Sequence, residues 1–234
     1  MSFAGWSALV TCLVSAVLCA SLARQYAERR RTYQLWWSVS FLAAAIAVLL
    51  QTIAFASGAW AVGGFRAYIV LAAVVPGLMG AGTVFLLYRR LAPYFAGLIV
   101  LLGLVTLWGA LGPVDHLARY SVLKAAAQVI TIMPSPQVAW GFGLLGPLGG
   151  AALVLGAAWS WWKTRLAFNW GIIAGGIVFS LADTLSALNG PSAPILFFAA
   201  EVVGSLALYL AVRAASVRPA TAADGAAAPA PRHA

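Results

Sequence analysis

The chain has 234 residues, of which 63% are hydrophobic and 8% are charged, and its formal net charge is +9. An ordinary soluble domain carries about a quarter charged residues, so this composition excludes a soluble fold. The basic residues stand in short clusters between apolar runs, which is typical of membrane anchors and argues against nucleic-acid binding.

Apolar runs near 20 residues recur along the whole chain, and a helix needs about this length to cross a hydrocarbon core. They predict an all-α integral membrane protein with seven transmembrane helices, in one domain over residues 1–215. The predicted spans are 6–23, 36–58, 66–88, 93–112, 138–159, 168–188 and 193–213. The first run has no basic residue before it and an arginine cluster after it, so we interpret it as a retained helix, not a cleaved signal peptide.

The distribution of basic residues predicts the orientation of these helices. An outside N-terminus and a cytoplasmic C-terminus place three basic residues outside: Arg66, Arg119 and Lys124. The remaining eleven then lie inside: Arg24, Arg29, Arg30, Arg31, Arg89, Arg90, Lys163, Arg165, Arg213, Arg218 and Arg232. The positive-inside rule favours this topology. We expect a multi-pass protein of a bacterial-type plasma (inner) membrane.

Two segments lie outside the predicted spans. The loop 113–137 is expected to be external, and apolar residues recur in it at about helical spacing, at Val114, Leu117, Tyr120 and Leu123. This spacing predicts a short helix in the outer interface. The segment 216–234 is rich in Ala and Pro and has no apolar face, so we expect a disordered cytoplasmic tail.

Small residues mark the expected helix contacts, because lipid provides no hydrophobic drive for helix association. Gly146 and Gly150 are four residues apart in the fifth span, and Gly171 and Gly175 are four apart in the sixth. Each pair predicts close packing against a neighbouring helix.

The long loop after the fourth span divides the helices as three, one and three. Aligning residues 163–190 with residues 31–58 places Asp183 on Gln51, so a polar residue would lie at the same depth in both halves. This pattern suggests a parallel repeat, with both halves in the same orientation in the membrane.

The outline resembles two known groups of membrane proteins. The three-one-three layout looks like the SWEET sugar transporters, although Pro136 and Gln137 have no counterpart in the first half to complete their paired proline–glutamine signature. The arginines after the first span, with Trp60 and Arg66 near the outer turn, also look like the seven-helix sensor modules of bacterial kinases. Neither resemblance assigns a family.

Two acids lie inside the predicted membrane, Asp183 in the sixth span and Glu201 in the seventh. A carboxylate there is costly and normally faces the bundle interior or a wet cavity. At 1.5 Å per residue from the outer helix ends, Asp183, Gln51 and Glu201 lie about 8, 10 and 12 Å deep. With the hydroxyl of Thr184 they form the predicted ligand- or proton-binding site. The alternative is that each acid is satisfied by its neighbour or by the backbone and only fixes helix orientation.

The chain has few of the residue types that commonly carry out catalysis or bind metals. Cys12 and Cys19 share one helix and His116 lies in a loop, a set that cannot form a zinc or haem site, so we predict no metal and no cofactor. No serine has a histidine and an acid aligned with it, so we predict no enzyme, and a membrane enzyme is the least favoured alternative. The leading hypothesis is a small-solute or ion/proton-coupled transporter. The alternative is a seven-helix sensor or accessory subunit of a larger membrane complex. The expected partners are the lipid bilayer, a small-molecule or ion ligand, and a membrane protein in the second case.

Overall fold

The computed structural model describes residues 3–114, 117–127, 129–186 and 193–216, and in these residues the chain is helical without any strand. Seven helices have 19 or more residues: α1 (Phe3–Arg29), α2 (Thr32–Ser57), α3 (Val62–Leu87), α4 (Ala92–Ala110), α7 (Pro136–Thr164), α8 (Phe168–Ser186) and α9 (Ala193–Ser216). Between α4 and α7 lie a 3-10 turn and two short helices: Leu117–Arg119, α5 (Val122–Ala127) and α6 (Val129–Ile132). The all-α prediction is confirmed. The predicted tail beyond residue 216 lies outside the described residues.

Length and hydropathy identify a membrane protein. Within the described residues, five helices are long and apolar enough to cross a bilayer, namely α1, α2, α3, α4 and α7. The outward face of α2 is an apolar stripe at helical spacing, formed by Leu35, Val39, Leu42, Ile46, Leu49 and Ile53. A stripe that runs the length of a helix is typical of contact with lipid. The chain is therefore a multi-pass membrane protein, while the count of seven crossings and the orientation stay predictions.

The chain reverses between helices where the backbone adopts left-handed geometry. Gly58 ends α2 with φ of 76°, and Arg30 and Arg165 have φ of 51° and 53° after α1 and α7. We call the end of the bundle with the connections α1–α2, α3–α4 and α7–α8 the arginine end. The opposite end carries residues 111–135, and we call it the loop end. Nine basic residues lie toward the arginine end: Arg24, Arg29, Arg30, Arg31, Arg89, Arg90, Lys163, Arg165 and Arg213.

Six of the long helices pack in a closed cyclic order. α1 contacts α2, α2 contacts α3, α3 contacts α7, α7 contacts α8, α8 contacts α9, and α9 returns to α1. Helix α4 stands outside this ring and packs on α3 and α7. The side chains that fill the ring therefore come from the first three and the last three long helices.

An apolar cluster fills the ring toward the arginine end, and we call it the plug. Every helix of the ring contributes to it, with Leu18 and Leu22, Phe41, Met79, Leu153 and Ala157, Ile172 and Ile173, and Leu208, Ala211 and Val212. All of these side chains are buried. The ring is therefore closed by apolar side chains at this level.

Glycines set the closest helix contacts. A Cβ placed on Gly149 of α7 would overlap the Pro76 carbonyl of α3, and one on Gly80 would come within 2.6 Å of the Gly149 Cα. In α8, Gly171 and Gly175 lie against Ala211 and Leu208 of α9, as predicted. The expectation for Gly146 is wrong, because a Cβ there meets nothing within 4 Å. The face of α7 that packs against α3 carries Gly149, which lies three residues after Gly146.

The segment between α4 and α7 covers the loop end of the ring. Its buried residues Leu117, Ala125, Val129, Ile132 and Met133 pack in one cluster with Phe65 and Tyr68 of α3. The Trp60 indole Nε1 donates a hydrogen bond to the Val122 carbonyl at 3.2 Å. Where the sequence predicts one short helix, the described residues form a 3-10 turn and two short helical segments.

Candidate polar site

Gln51 is a fully buried polar residue of α2, with 0% of its surface exposed. Both its Nε2 and its Oε1 are shielded from solvent, and neither has a hydrogen-bond partner among the residues that the structure describes. A buried amide without partners costs about 1–3 kcal/mol, and such groups are rare in folded proteins. Gln51, a residue of the predicted site, therefore has an amide whose donor and acceptor atoms are both unpaired among the described residues.

Glu201 enters the same part of the ring from α9. At the loop end, Ala4 of α1 packs against Phe55 of α2, Leu123 of α5 and Ala200 of α9, and we call this contact the Ala4 layer. Gln51 lies four residues from Phe55 and Glu201 one residue from Ala200. At 1.5 Å per residue they are about 6 and 2 Å below the Ala4 layer, so their depths differ by a little less than one helical turn. The Glu201 carboxylate is partly buried and its Oε2 is shielded from solvent.

Thr11 extends this group of polar residues toward the arginine end. Three other buried threonines, Thr52, Thr83 and Thr106, each donate a hydrogen bond to the carbonyl four residues earlier. The Thr11 Oγ1 is buried as well, but it has no such bond among the described residues. Its hydroxyl is therefore available to another group. Counting from Ala4, Thr11 lies about 10 Å below the Ala4 layer.

The positions of Thr11 and Glu201 in their helices place these two residues on the faces that carry the plug. Thr11 precedes the plug residue Leu18 by seven residues, and Glu201 precedes the plug residue Leu208 by the same interval. Seven residues are close to two helical turns, so each polar residue lies on the face that carries the plug. Ser205, buried and one turn from Glu201, lies on this face too. We call Thr11, Gln51, Glu201 and Ser205 the polar layer.

Apolar contacts lie on both sides of the polar layer. The Ala4 layer, which includes Leu123 of α5, lies above it, and the plug lies below it. Arg66 is the basic residue of α3, and its guanidinium is bonded away from the polar layer. Its Nη2 donates a hydrogen bond to the Gly112 carbonyl at 2.8 Å. That bond places the guanidinium at the C-terminal end of α4, where the helix dipole favours a cation.

Two of the predicted site residues cannot be placed in the polar layer from the structure. Asp183 and Thr184 belong to α8, but their side chains lie outside the described part of the chain. Sequence reasoning missed Thr11 and Ser205. The signal for Thr11 was present, since Ser7, Thr11 and Ser15 recur every four residues in an otherwise apolar helix.

Replacing Gln51 by methionine is expected to stabilise the ligand-free protein. The change removes an unpaired buried amide and keeps the side-chain volume, so we expect a gain of about 1–3 kcal/mol. Thermal unfolding in mild detergent measures it as a higher Tm.

Gln34→Met is the matched control in the same helix. Gln34 is equally buried and its Oε1 also has no partner among the described residues, but its Nε2 donates a hydrogen bond to Gln25 Oε1 at 3.2 Å. Its replacement breaks that bond, and Tm should fall. A fall of the same size for Gln51→Met would mean that the Gln51 amide is paired in the folded protein.

Comparison of the chain with models of protein families, with curated proteins and with solved structures found no match. The function is therefore argued from the polar layer and its surroundings.

Proposed function

We propose that this protein is a small-solute or ion transporter of the membrane, in which a proton or a small monovalent cation binds at the polar layer. The observation that carries the proposal is the Gln51 amide, fully buried and without a hydrogen-bond partner among the described residues. An amide left unpaired in the core of a bundle is costly, and a bound ligand or water would satisfy it.

The chemistry of the polar layer favours a cation. Its ligands are a carboxylate, an amide and hydroxyls, which are oxygen-rich groups of the kind that hard cations prefer. Glu201 supplies negative charge, and Arg66, the basic residue nearest in α3, is bonded to the end of α4. An ionisable residue inside a membrane bundle is by default a candidate for an ion pathway or a proton relay.

Asp183 supports the proposal through its position in the helix. Gly171 lies against Ala211, and Gly175 against Leu208, in the antiparallel pair α8 and α9. Extending this register along the two helices places position 183 opposite positions 199 and 200, next to Glu201. A second carboxylate at this level would share a proton or a cation with Glu201.

Alternating access needs a closure on each side of the binding site, and we propose that the two apolar contacts serve as these closures. Leu123 of α5 packs against Ala4 on the loop-end side of the polar layer, and the plug lies on the arginine-end side. We assign the arginine end to the cytoplasm by the positive-inside rule, and the protein to a bacterial-type inner membrane. Transport then consists of opening one closure while the other stays shut.

The test uses the full-length chain, purified in mild detergent and reconstituted into liposomes. Proton flux is followed with an internal pH dye and sodium and potassium flux with radioactive tracers, each under an imposed gradient. We expect at least one of the three fluxes to exceed that of empty liposomes and to fall in the Gln51→Met variant.

A different result would favour the sensor or accessory subunit. For a sensor or subunit, we expect none of the three fluxes. We also expect a second polypeptide to stay bound through purification of both wild type and Gln51→Met. That pair of observations would remove the transporter proposal.

A further inference from the structure

A groove opens between α3 and α7 at the arginine end. Its volume is about 540 Å³, and its lining is mostly apolar and aromatic, including Leu87, Tyr88, Leu155, Trp159 and Trp162. Leu155 and Trp162 are each 68% exposed, so the groove opens sideways, away from the ring interior. In a membrane protein this opening faces the lipid.

The groove follows from the way the two helices end. α3 and α7 run in the same direction and touch at Thr83 and Gly156, where a Cβ on the glycine would overlap the threonine methyl group. Helix α3 stops at Leu87, whereas α7 continues to Thr164. Beyond the contact, Trp159 and Trp162 of α7 therefore form a wall that α3 does not cover, while the Trp161 ring lies 5.0 Å from that of Trp170 in α8.

Two cations lie against tryptophans that line this groove, and two more follow its lining residue Tyr88 in the chain. Lys163 Nζ lies 5.2 Å from the Trp159 ring centre, and the Arg165 guanidinium lies 4.7 Å from that of Trp161, which also lines the groove. Arg89 and Arg90 directly follow Tyr88 and are exposed. Among the described residues, none of the four lies within salt-bridge distance of a carboxylate. The mouth therefore has a positive charge that no described acid balances.

We propose that this groove binds an anionic phospholipid, with an acyl chain along its apolar walls and the phosphate between Lys163 and Arg165. Basic pockets between helices at the membrane surface bind anionic headgroups, and a zwitterionic headgroup gains less because it brings its own cation. The tryptophans hold both cations at the headgroup level, where indole rings are favoured. This lipid site is independent of the polar layer and of the transport proposal.

Native mass spectrometry of the full chain in detergent, with equal amounts of phosphatidylglycerol and phosphatidylcholine, tests the proposal. Wild type should bind phosphatidylglycerol preferentially. Lys163→Gln combined with Arg165→Asn should weaken that binding about 30-fold, from the usual contribution of two cations near an anionic lipid. Asparagine is chosen because it tolerates the left-handed backbone at position 165.

The matched control is Arg29→Gln combined with Arg30→Asn. Arg30 has the same left-handed geometry, with φ of 51°, and its guanidinium lies 5.9 Å from the Tyr26 ring centre. This pair removes the same charge at the same end of the bundle, away from the groove, and should keep the preference for phosphatidylglycerol. The proposal would be overturned if both double variants weakened phosphatidylglycerol binding equally, or if neither double variant weakened it.

A second variant tests the acyl chain separately from the headgroup. Ala152→Phe fills the apolar part of the groove and leaves all four cations in place. It should lower phosphatidylglycerol binding severalfold with no change in net charge. Wild-type binding by this variant would show that no acyl chain occupies the groove.

Discussion

Glu201→Gln is expected to lower the cation or proton flux of reconstituted protein about 100-fold, because a carboxylate inside a membrane bundle represents about 3 kcal/mol of charge that a bound cation or proton would neutralise. Glutamine has nearly the same shape and keeps a hydrogen-bonding group. It has no charge and no carboxyl proton to exchange. The flux assay in liposomes measures the loss, and Tm in detergent shows whether the fold is kept.

Glu28→Gln is the control for this change. Glu28 is exposed and forms an ion pair with Arg24 at 3.0 Å, one turn away on the surface of α1. Exposed pairs of this kind contribute little, so flux and Tm should both stay at the wild-type value. Wild-type flux in Glu201→Gln, and also in the double variant Asp183→Asn, Glu201→Gln, would contradict a carboxylate site.

Much of this architecture follows from the length of the apolar runs. The sequence predicts a span over 36–58, and α2 runs from Thr32 to Ser57; it predicts one over 138–159, and α7 runs from Pro136 to Thr164. Turn residues and basic clusters limit such runs, so the ends of these helices can be estimated from composition. The same counting predicts similar depths for Gln51 and Glu201, and this is why the two acids and the amide could be grouped. In the structure Gln51 lies about 4 Å deeper than Glu201, the reverse of the predicted order.

The rotation of each helix could not be predicted in this way. These helices are apolar on nearly every face, and a shift of one residue turns a side chain by about 100°. Gly146 and Gly149 are both small residues of α7, and only contact with α3 decides which of them packs. Thr11 likewise differs from Thr52 only in the absence of a backbone partner, which depends on the local packing of α1.

Gly149→Ala is expected to destabilise the bundle severely, although it adds only a single methyl group. The added Cβ would overlap the Pro76 carbonyl and come within 2.5 Å of the Gly77 nitrogen, and these are backbone atoms that cannot rotate away. Overpacking that displaces backbone costs about 3 kcal/mol or more. The loss should appear as a lower Tm and a smaller monodisperse fraction on size-exclusion chromatography.

Gly146→Ala provides the comparison on the same helix. A Cβ at Gly146 meets no atom within 4 Å, so the variant should be neutral or gain about 0.5–1 kcal/mol from the better helix propensity of alanine. Equal behaviour of the two variants would show that α3 and α7 do not meet at Gly149.

The polar layer also has a consequence for biosynthesis, because it joins the first two long helices to the last one. At roughly 5–20 residues per second, the interval between the synthesis of Gln51 and that of Glu201 is on the order of ten seconds. During that time Thr11 and Gln51 have no contact with α9 and must be shielded by water, by the insertion machinery or by each other. We therefore expect a nascent chain that stops before α9 to leave these groups uncovered inside the bilayer.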